Sequence, residues 1–102
     1  MTDAKLLRER QDGILTLTLN RPGKLNAIDN DLAKSLLEAL LDASADATTR
    51  VIRIRGNGRA FCAGRDVSAA PTDQDLELVQ AVARAIVHSP KPVVAQVHGW
   101  TV

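Results

Sequence analysis

Alternating apolar and polar residues near the start of the chain predict a β-hairpin. In Ile14–Leu19, leucines alternate with threonines, and this period of two predicts a strand with the leucines on its more buried face. The preceding run, Leu6–Gln11, is joined to it by Asp12-Gly13. Both residues of that dipeptide tolerate the positive φ of a tight turn, so the two runs are predicted to pair as antiparallel strands.

A helical spacing follows the hairpin. Pro22-Gly23 ends the strand pattern, and the next few residues read as an irregular loop. Leucines then recur every fourth residue from about residue 30 to about residue 45, which predicts an amphipathic helix. Asp29 or Asn30 is its predicted N-cap, because both side chains can accept a hydrogen bond from the first turn.

The second half of the chain alternates strands with another helix. Residues 51–55 predict a strand with Ile52 and Ile54 facing inward, and residues 56–64 predict a loop. Thr72 with Asp75 resembles a capping box at the start of a second helix. The apolar side of that helix is expected to comprise Leu76, Val79, Val82, Ala83 and Ile86.

The last apolar run completes an α/β pattern. Residues 93–97 predict a strand buried on both faces. The resulting order, β-β-α-β-α-β, implies an α/β layer whose strands are mostly parallel after the hairpin.

Composition narrows the class of protein. The chain has 102 residues, 45% of them hydrophobic and 25% charged, with a net charge of +1. This composition fits one compact domain and excludes a disordered tail or a disulfide-rich miniprotein.

With Phe61 and Trp100 as its aromatics, and no Tyr, the chain is not expected to stack nucleic-acid bases. No apolar run is long enough to span a bilayer, and the first ten residues carry charges where a signal peptide needs an apolar stretch. A single cysteine suits a reducing compartment, so we expect a cytoplasmic protein without membrane or nucleic-acid partners.

Two loops are the candidate sites of chemistry. Residues 20–27 and 56–66 each follow a predicted strand, where ligands gather in open α/β sheets. Basic residues converging from both loops would suit a phosphate-bearing ligand, whereas the alternative is that they pair with acids elsewhere or with a neighbouring subunit. These basic residues are Arg21, Lys24, Arg50, Arg53, Arg55, Arg59 and Arg65.

Other familiar chemistries fit the residues less well. Phe61 stands where a G-x-G-x-x-G dinucleotide fingerprint needs its third glycine, and the chain has no Walker motif. Cys62 with His88 or His98 suggests a thiol nucleophile, but a small buried cysteine is favoured, and no zinc-ligand spacing occurs. The turn at residues 63–66 either presents a backbone N–H to an oxyanion or is a plain turn.

Three motifs in order resemble the enoyl-CoA hydratase/isomerase (crotonase) superfamily. Residues 19–27 read LNRPGKLNA, residues 56–67 read GNGRAFCAGRDV, and residues 91–99 read KPVVAQVHG. The resemblance implies an α/β fold of the ClpP/crotonase type, a spiral of β-β-α units, with residues 1–102 forming the N-terminal part of a single crotonase-like domain. It also implies an acyl-CoA-binding lyase of fatty acid metabolism, assembled as a homotrimer or hexamer when intact.

The resemblance also assigns roles to individual residues. The backbone N–H of Arg65, beside Gly64, corresponds to one donor of an oxyanion hole that stabilises a thioester enolate. No prosthetic group is implied, because coenzyme A enters as part of the substrate. The residues that match CoA-binding positions are Arg21, Lys24, Leu25, Ala27, Ala63, Asp66 and Val67.

The part of the family pattern that follows Val102 bears on activity. A glycine-rich turn with the second oxyanion donor, and the two glutamates of hydratases, are expected there. We therefore expect the 102 residues alone to be inactive and to associate through the open face of strand 93–97. Enoyl-CoA hydratase is the favoured activity of the intact protein. The alternatives are another crotonase-type reaction, such as enoyl-CoA isomerisation or thioester hydrolysis, and a non-catalytic fragment.

Overall fold

The computed structural model describes residues 4–62, 72–98 and 100–101. The predicted order of strands and helices is confirmed, with two short strands added. The elements are β1 (Leu6–Gln11), β2 (Ile14–Leu19), a 3₁₀ turn (Pro22–Lys24), α1 (Asn30–Ala45), β3 (Val51–Gly56), β4 (Ala60–Cys62), α2 (Asp73–Val87), β5 (Val93–Gln96) and β6 (Trp100–Thr101).

The main sheet has four strands in the order β1-β2-β3-β5. β1 and β2 form the predicted antiparallel hairpin, with Asp12 at φ 54° and Gly13 at φ 81° in its turn. β3 pairs in parallel with β2 on one side and with β5 on the other. A second sheet joins β4 and β6 in parallel. The carboxyl ends of β2, β3 and β5 therefore lie at the same end of the main sheet.

The core lies between the leucine face of the hairpin and the apolar face of α1. Leu17, Leu32, Leu40 and Ile52 are fully buried there. Asp29 is the N-cap of α1, because its Oδ1 accepts a hydrogen bond from the Leu32 N–H at 2.9 Å. Burying these four side chains removes their apolar area from water, which is the main force that seats α1 on the sheet.

The capping box of α2 is confirmed. Asp75 N donates to Thr72 Oγ1 at 3.1 Å, and Thr72 N donates to Asp75 Oδ2 at 2.8 Å. Val82 and Ile86 pack against the core as expected. The rest of the predicted apolar side differs, because Leu76 is 51% exposed, Val79 is 42% exposed and Ala83 is also exposed. Neither helix in the described part of the chain has the length and apolar character needed to cross a bilayer.

Two predictions about the second half of the chain are wrong. Residues 60–62, expected in a loop, form β4, whose pairing with β6 no local pattern signals. Residues 93–97 were expected to be buried on both faces, but β5 is an edge strand within the described residues, and Val94 and Val97 are 50% and 56% exposed. An apolar run predicts a strand, but its burial depends on which neighbours cover it.

Candidate functional site

Two loops meet at the carboxyl ends of β2 and β3. The first loop is residues 20–28, and the second loop is residues 57–59 together with the β4 strand that follows. Asn57 N donates to Leu19 O at 2.9 Å, and Asn57 Nδ2 donates to Asn20 Oδ1 at 2.8 Å. The structure therefore brings together the two loops that carry the first two sequence motifs.

The first loop contains two non-glycine residues in the left-handed region. After the 3₁₀ turn, Leu25 has φ 52° and Asn26 has φ 57°. Leu25 N donates to the Pro22 carbonyl at 3.2 Å, and Ala27 N donates to the Lys24 carbonyl at 3.0 Å. A left-handed leucine costs about 1–3 kcal/mol, so it persists only where surrounding contacts fix the backbone.

Asn26 makes hydrogen bonds that fix the left-handed backbone of the first loop. It is fully buried, and its Oδ1 accepts a hydrogen bond from Arg21 N at 2.8 Å. Its Nδ2 donates to two carbonyls of the second loop, Asn57 O at 2.9 Å and Ala60 O at 2.8 Å. We call these three side-chain bonds the Asn26 bridge. Asn26 belongs to the first family motif, but it was not among the predicted site residues.

Arg21 is directed back into its own loop. Its Nη1 donates to Ala27 O at 2.5 Å and lies 3.5 Å from Asp29 Oδ2, and the side chain is only 14% exposed. Lys5 Nζ reaches the same Asp29 oxygen at 2.6 Å. Burial raises the pKa of Asp29, but the hydrogen bonds from Lys5 and from the Leu32 N–H, with the charge of Arg21, outweigh it and leave that pKa below its ordinary value.

Lys24 is the exposed cation of the first loop. No hydrogen bond or ion pair to its ammonium comes from residues 4–62 or 72–98. Leu25 and Ala27 are half-buried beside it. The remaining predicted site residues lie outside the described residues, and they are Ala63, Gly64, Arg65, Asp66 and Val67.

The basic residues of the β3 region do not gather at these loops as a group. Arg50 precedes β3 at its amino end, where Nη2 donates to Asp12 O at 3.1 Å. Arg53 donates to Thr16 Oγ1 on the sheet, at 3.0 Å from Nη2. Arg55 and Arg59 are exposed nearer the carboxyl end. At about 3.3 Å per strand residue, Arg50 and the second loop are separated by about 20 Å.

Close backbone approach shapes the second loop. A Cβ on Gly56 would lie 2.4 Å from Phe61 O, so β3 and β4 can approach only at a glycine. His98, which lies just after β5, also contacts the second loop. Its carbonyl accepts a hydrogen bond from Phe61 N at 3.1 Å, and its Nε2 lies 2.9 Å from Gly58 O. Cys62 is buried, and its Sγ lies 3.4 Å from Asn26 O. These contacts favour the packed cysteine over the thiol nucleophile.

No group of three or more metal-ligating side chains occurs within the described ranges. The described part of the site contains main-chain groups, the buried Asn26 amide, the Arg21–Asp29 pair and the exposed Lys24.

Comparison with known proteins decides the family. The family model for enoyl-CoA hydratase/isomerase matches residues 9–102. The chain belongs to the enoyl-CoA hydratase/isomerase family. It is 35% identical to 1,2-epoxyphenylacetyl-CoA isomerase from Escherichia coli over 92% of this chain and 40% of that protein. It is 38% identical to 3-hydroxyisobutyryl-CoA hydrolase 1 from Arabidopsis thaliana over 71% of this chain and 19% of that protein.

Solved structures of the family confirm the fold. A crystal structure of enoyl-CoA hydratase from Mycobacterium smegmatis matches with a TM-score of 0.86 and 36% identity, covering 95% of this chain and 41% of that one. The predicted α/β crotonase fold, represented by its N-terminal part, is therefore correct. The chain spans about two fifths of the length of these relatives at most.

Proposed function

We propose that this chain supplies the CoA-binding part of an acyl-CoA enzyme, most simply an enoyl-CoA hydratase acting on a 2-enoyl-CoA thioester. The observation that carries the proposal is the pair of joined loops, because both bear signatures of the family and one of them exposes Lys24. Coenzyme A is long and carries phosphates at one end and a thioester at the other. The first loop, with its exposed lysine, suits the phosphate end, and the second loop leads to the residues that suit the thioester end.

The first loop is the proposed nucleotide end of the site. Lys24 supplies an exposed cation for a CoA phosphate, and Leu25 and Ala27 line the path of the cofactor. Arg21, the other basic residue of this loop, contacts Ala27 O and Asp29. Its proposed part in CoA binding is accordingly to hold the Ala27 backbone in place.

The second loop leads to the proposed thioester end. β4 ends at Cys62, directly before Ala63, and the backbone N–H of Arg65 is the proposed oxyanion donor, with Gly64 beside it. Asp66 and Val67 complete the family signature there. In hydration, the water oxygen bonds to C3 of the enoyl group as a base takes one proton from the water. The C2=C3 π electrons shift to form a C1=C2 double bond, and the carbonyl π pair moves onto the thioester oxygen as an enolate. The enolate then collapses to the thioester carbonyl as C2 takes a proton, so that H and OH have been added across C2=C3. Removing one such donor typically costs about 3 kcal/mol of transition-state stabilisation.

The proposed reaction is chosen among those for which the relatives are named. The relatives named above include an isomerase, a hydrolase and a hydratase, and each is named for a CoA substrate. We place hydration first, with isomerisation or thioester hydrolysis as alternatives. We also propose that the intact protein is a cytoplasmic homotrimer or hexamer of fatty acid metabolism without a prosthetic group.

The test begins with the intact mass of the purified protein and a calorimetric titration with CoA and with crotonyl-CoA. Lys24→Gln is expected to weaken CoA binding about tenfold, as for loss of one charge-assisted phosphate contact. The matched control, Lys34→Gln, removes an exposed lysine of α1 and is expected to leave the affinity unchanged. A mass near 11.0 kDa without CoA binding would reject the function and favour a non-catalytic fragment.

A further inference from the structure

The Asn26 bridge is the most deeply buried polar connection between the two loops. Asn26 has no exposed surface, and each polar atom of its amide has a main-chain partner. The nearby Asn57–Asn20 contact also joins the loops, but it is exposed to solvent. A hydrogen bond in the dry interior is stronger and more rigid than one in contact with water. The Asn26 bridge therefore adds a buried connection between the loops to the main-chain bond from Asn57 N to Leu19 O.

Packing alone does not explain an amide at this position. An unsatisfied buried polar group costs about 1–3 kcal/mol, so an asparagine is favourable here only because all its bonds are made. The Asn26 carbonyl lies 3.4 Å from Cys62 Sγ, the last residue of β4. Bonds from the one residue thus reach the start, the middle and the end of the second loop.

We infer that Asn26 is a positioning residue that holds the first loop, the proposed nucleotide end of the CoA-thioester site, against β4, the strand that leads to the proposed thioester end. The inference rests on the proposed function. When two sites on one protein bind two ends of one ligand, the whole ligand binds more tightly than either end only if the spacing is held. Loosening the bridge leaves the first loop able to bind the nucleotide end, but it removes the gain from binding both ends of the ligand at once.

The experiment compares the affinities of the whole ligand and of its nucleotide end. Crotonyl-CoA and adenosine 3′,5′-bisphosphate are titrated by calorimetry into the unmodified protein and into Asn26→Gly and Asn26→Asp. Glycine keeps the left-handed backbone and removes the amide, whereas aspartate keeps the acceptor for Arg21 N and loses both donors to the second loop. Both variants are expected to lower the ratio of the two affinities about tenfold, while the nucleotide affinity changes by less than about twofold.

The matched control is Asn30→Ala. Its amide also crosses between elements, from Asn30 Nδ2 to Asp75 Oδ1 at 2.5 Å, but it joins α1 to α2 and not the two loops. This control is expected to keep the affinity ratio of the unmodified protein. A purely structural role of Asn26 would reduce the number of competent molecules with the ratio unchanged, and that result would overturn the inference.

Hydrogen exchange of the Arg21 amide separates failure of the bridge from failure of the function. Arg21 N–H donates to Asn26 Oδ1, so its exchange should speed up in Asn26→Gly and remain slow in Asn26→Asp. If Asn26→Asp binds with the unmodified ratio, the donors to the second loop are dispensable and the inference is overturned. If the unmodified protein binds neither ligand while Arg21 remains protected, the bridge exists but the proposed function is rejected, and the positioning role with it.

Discussion

Among the described glycines, Gly56 is the position at which the fold tolerates a side chain least. The last residue of β3 faces the β4 backbone, and an added Cβ would come within 2.4 Å of Phe61 O and 2.6 Å of Ala60 O. Both atoms are main chain and cannot rotate away. We expect Gly56→Ala to lower the free energy of unfolding by about 2 kcal/mol or more, measured by urea denaturation.

Gly23 provides the matched control for that substitution. A Cβ at Gly23 meets nothing within 4 Å, so Gly23→Ala should leave the free energy of unfolding nearly unchanged. Equal stabilities for Gly56→Ala and Gly23→Ala would contradict the close approach of β3 and β4.

Asp46 is a residue whose carboxyl pKa is strongly lowered by its neighbours. Its carboxylate accepts hydrogen bonds from the Thr48 N–H and from the Thr48 and Thr49 hydroxyls, which lower its pKa from 3.8 to about 2. Because the folded pKa lies below the unfolded one, the stabilisation is present above about pH 4 and is lost as the pH falls towards 2. An NMR titration of the carboxyl should have its midpoint near pH 2, and Thr48→Val should move the midpoint towards 3.8. A midpoint near 3.8 in the unmodified protein would refute the Thr48 and Thr49 contacts.

At the scale of the element, α1 depends on Asp29 at its first turn. Asp29 caps the helix and also binds Lys5 and Arg21. One carboxylate therefore joins the residue before β1, the first loop and α1. We expect Asp29→Ala to reduce the free energy of unfolding by about 1–2 kcal/mol, the usual cost of losing an N-cap with a helix-dipole partner. Thermal and urea unfolding followed by circular dichroism would measure it.

Asp31→Ala is the control for the cap. Asp31 lies in the same turn and reaches Lys5 at 3.1 Å, but it is 77% exposed and caps nothing. Its removal is expected to cost less than about 0.5 kcal/mol, as for an ordinary surface ion pair. If the two alanine variants were equally stable, the cap would not be what holds the start of α1.

Elements with strong local signals could be predicted from the sequence. The hairpin, α1 and its cap, β3 and the capping box of α2 are all fixed by periodicity or by short motifs. β4 could not be predicted, since a three-residue strand has no readable period and pairs with a distant one. The exposure of β5 depends on neighbours, which the apolar run itself does not specify.

The candidate site was predictable only in part. The motifs identified both loops and the exposed Lys24. The inward direction of the Arg21 side chain could not be predicted. It depends on where folding places Ala27 O and the Asp29 carboxylate, which the side chain contacts. The bonds of Asn26 reach across more than 30 residues, so no local pattern could reveal them.

At the scale of the whole molecule, the edge strand β5 governs behaviour in solution. Its apolar Val94 is half-exposed, and β3 is its one strand partner among the described residues. An exposed apolar edge favours pairing with another chain. We therefore expect the 102-residue chain to self-associate as its concentration rises, measured by sedimentation velocity.

Charge at the edge should suppress that association. Val94→Lys is expected to shift the chain towards monomer, because edge lysines oppose strand pairing. Val87→Lys, which changes a 76%-exposed valine at the end of α2, should not have this effect. Association that persists equally in both variants would place the contact elsewhere.

The partners of the Asn26 side chain are all main-chain atoms, and this has a consequence for mutational tolerance. Arg21 N, Asn57 O and Ala60 O are present whatever side chains those positions carry. The sequence requirement of the Asn26 bridge therefore resides at one position. Saturation mutagenesis with a folding reporter should find position 26 intolerant and the exposed position 57 permissive. Equal tolerance at the two positions would mean that the loops are held together by their shared backbone contacts alone.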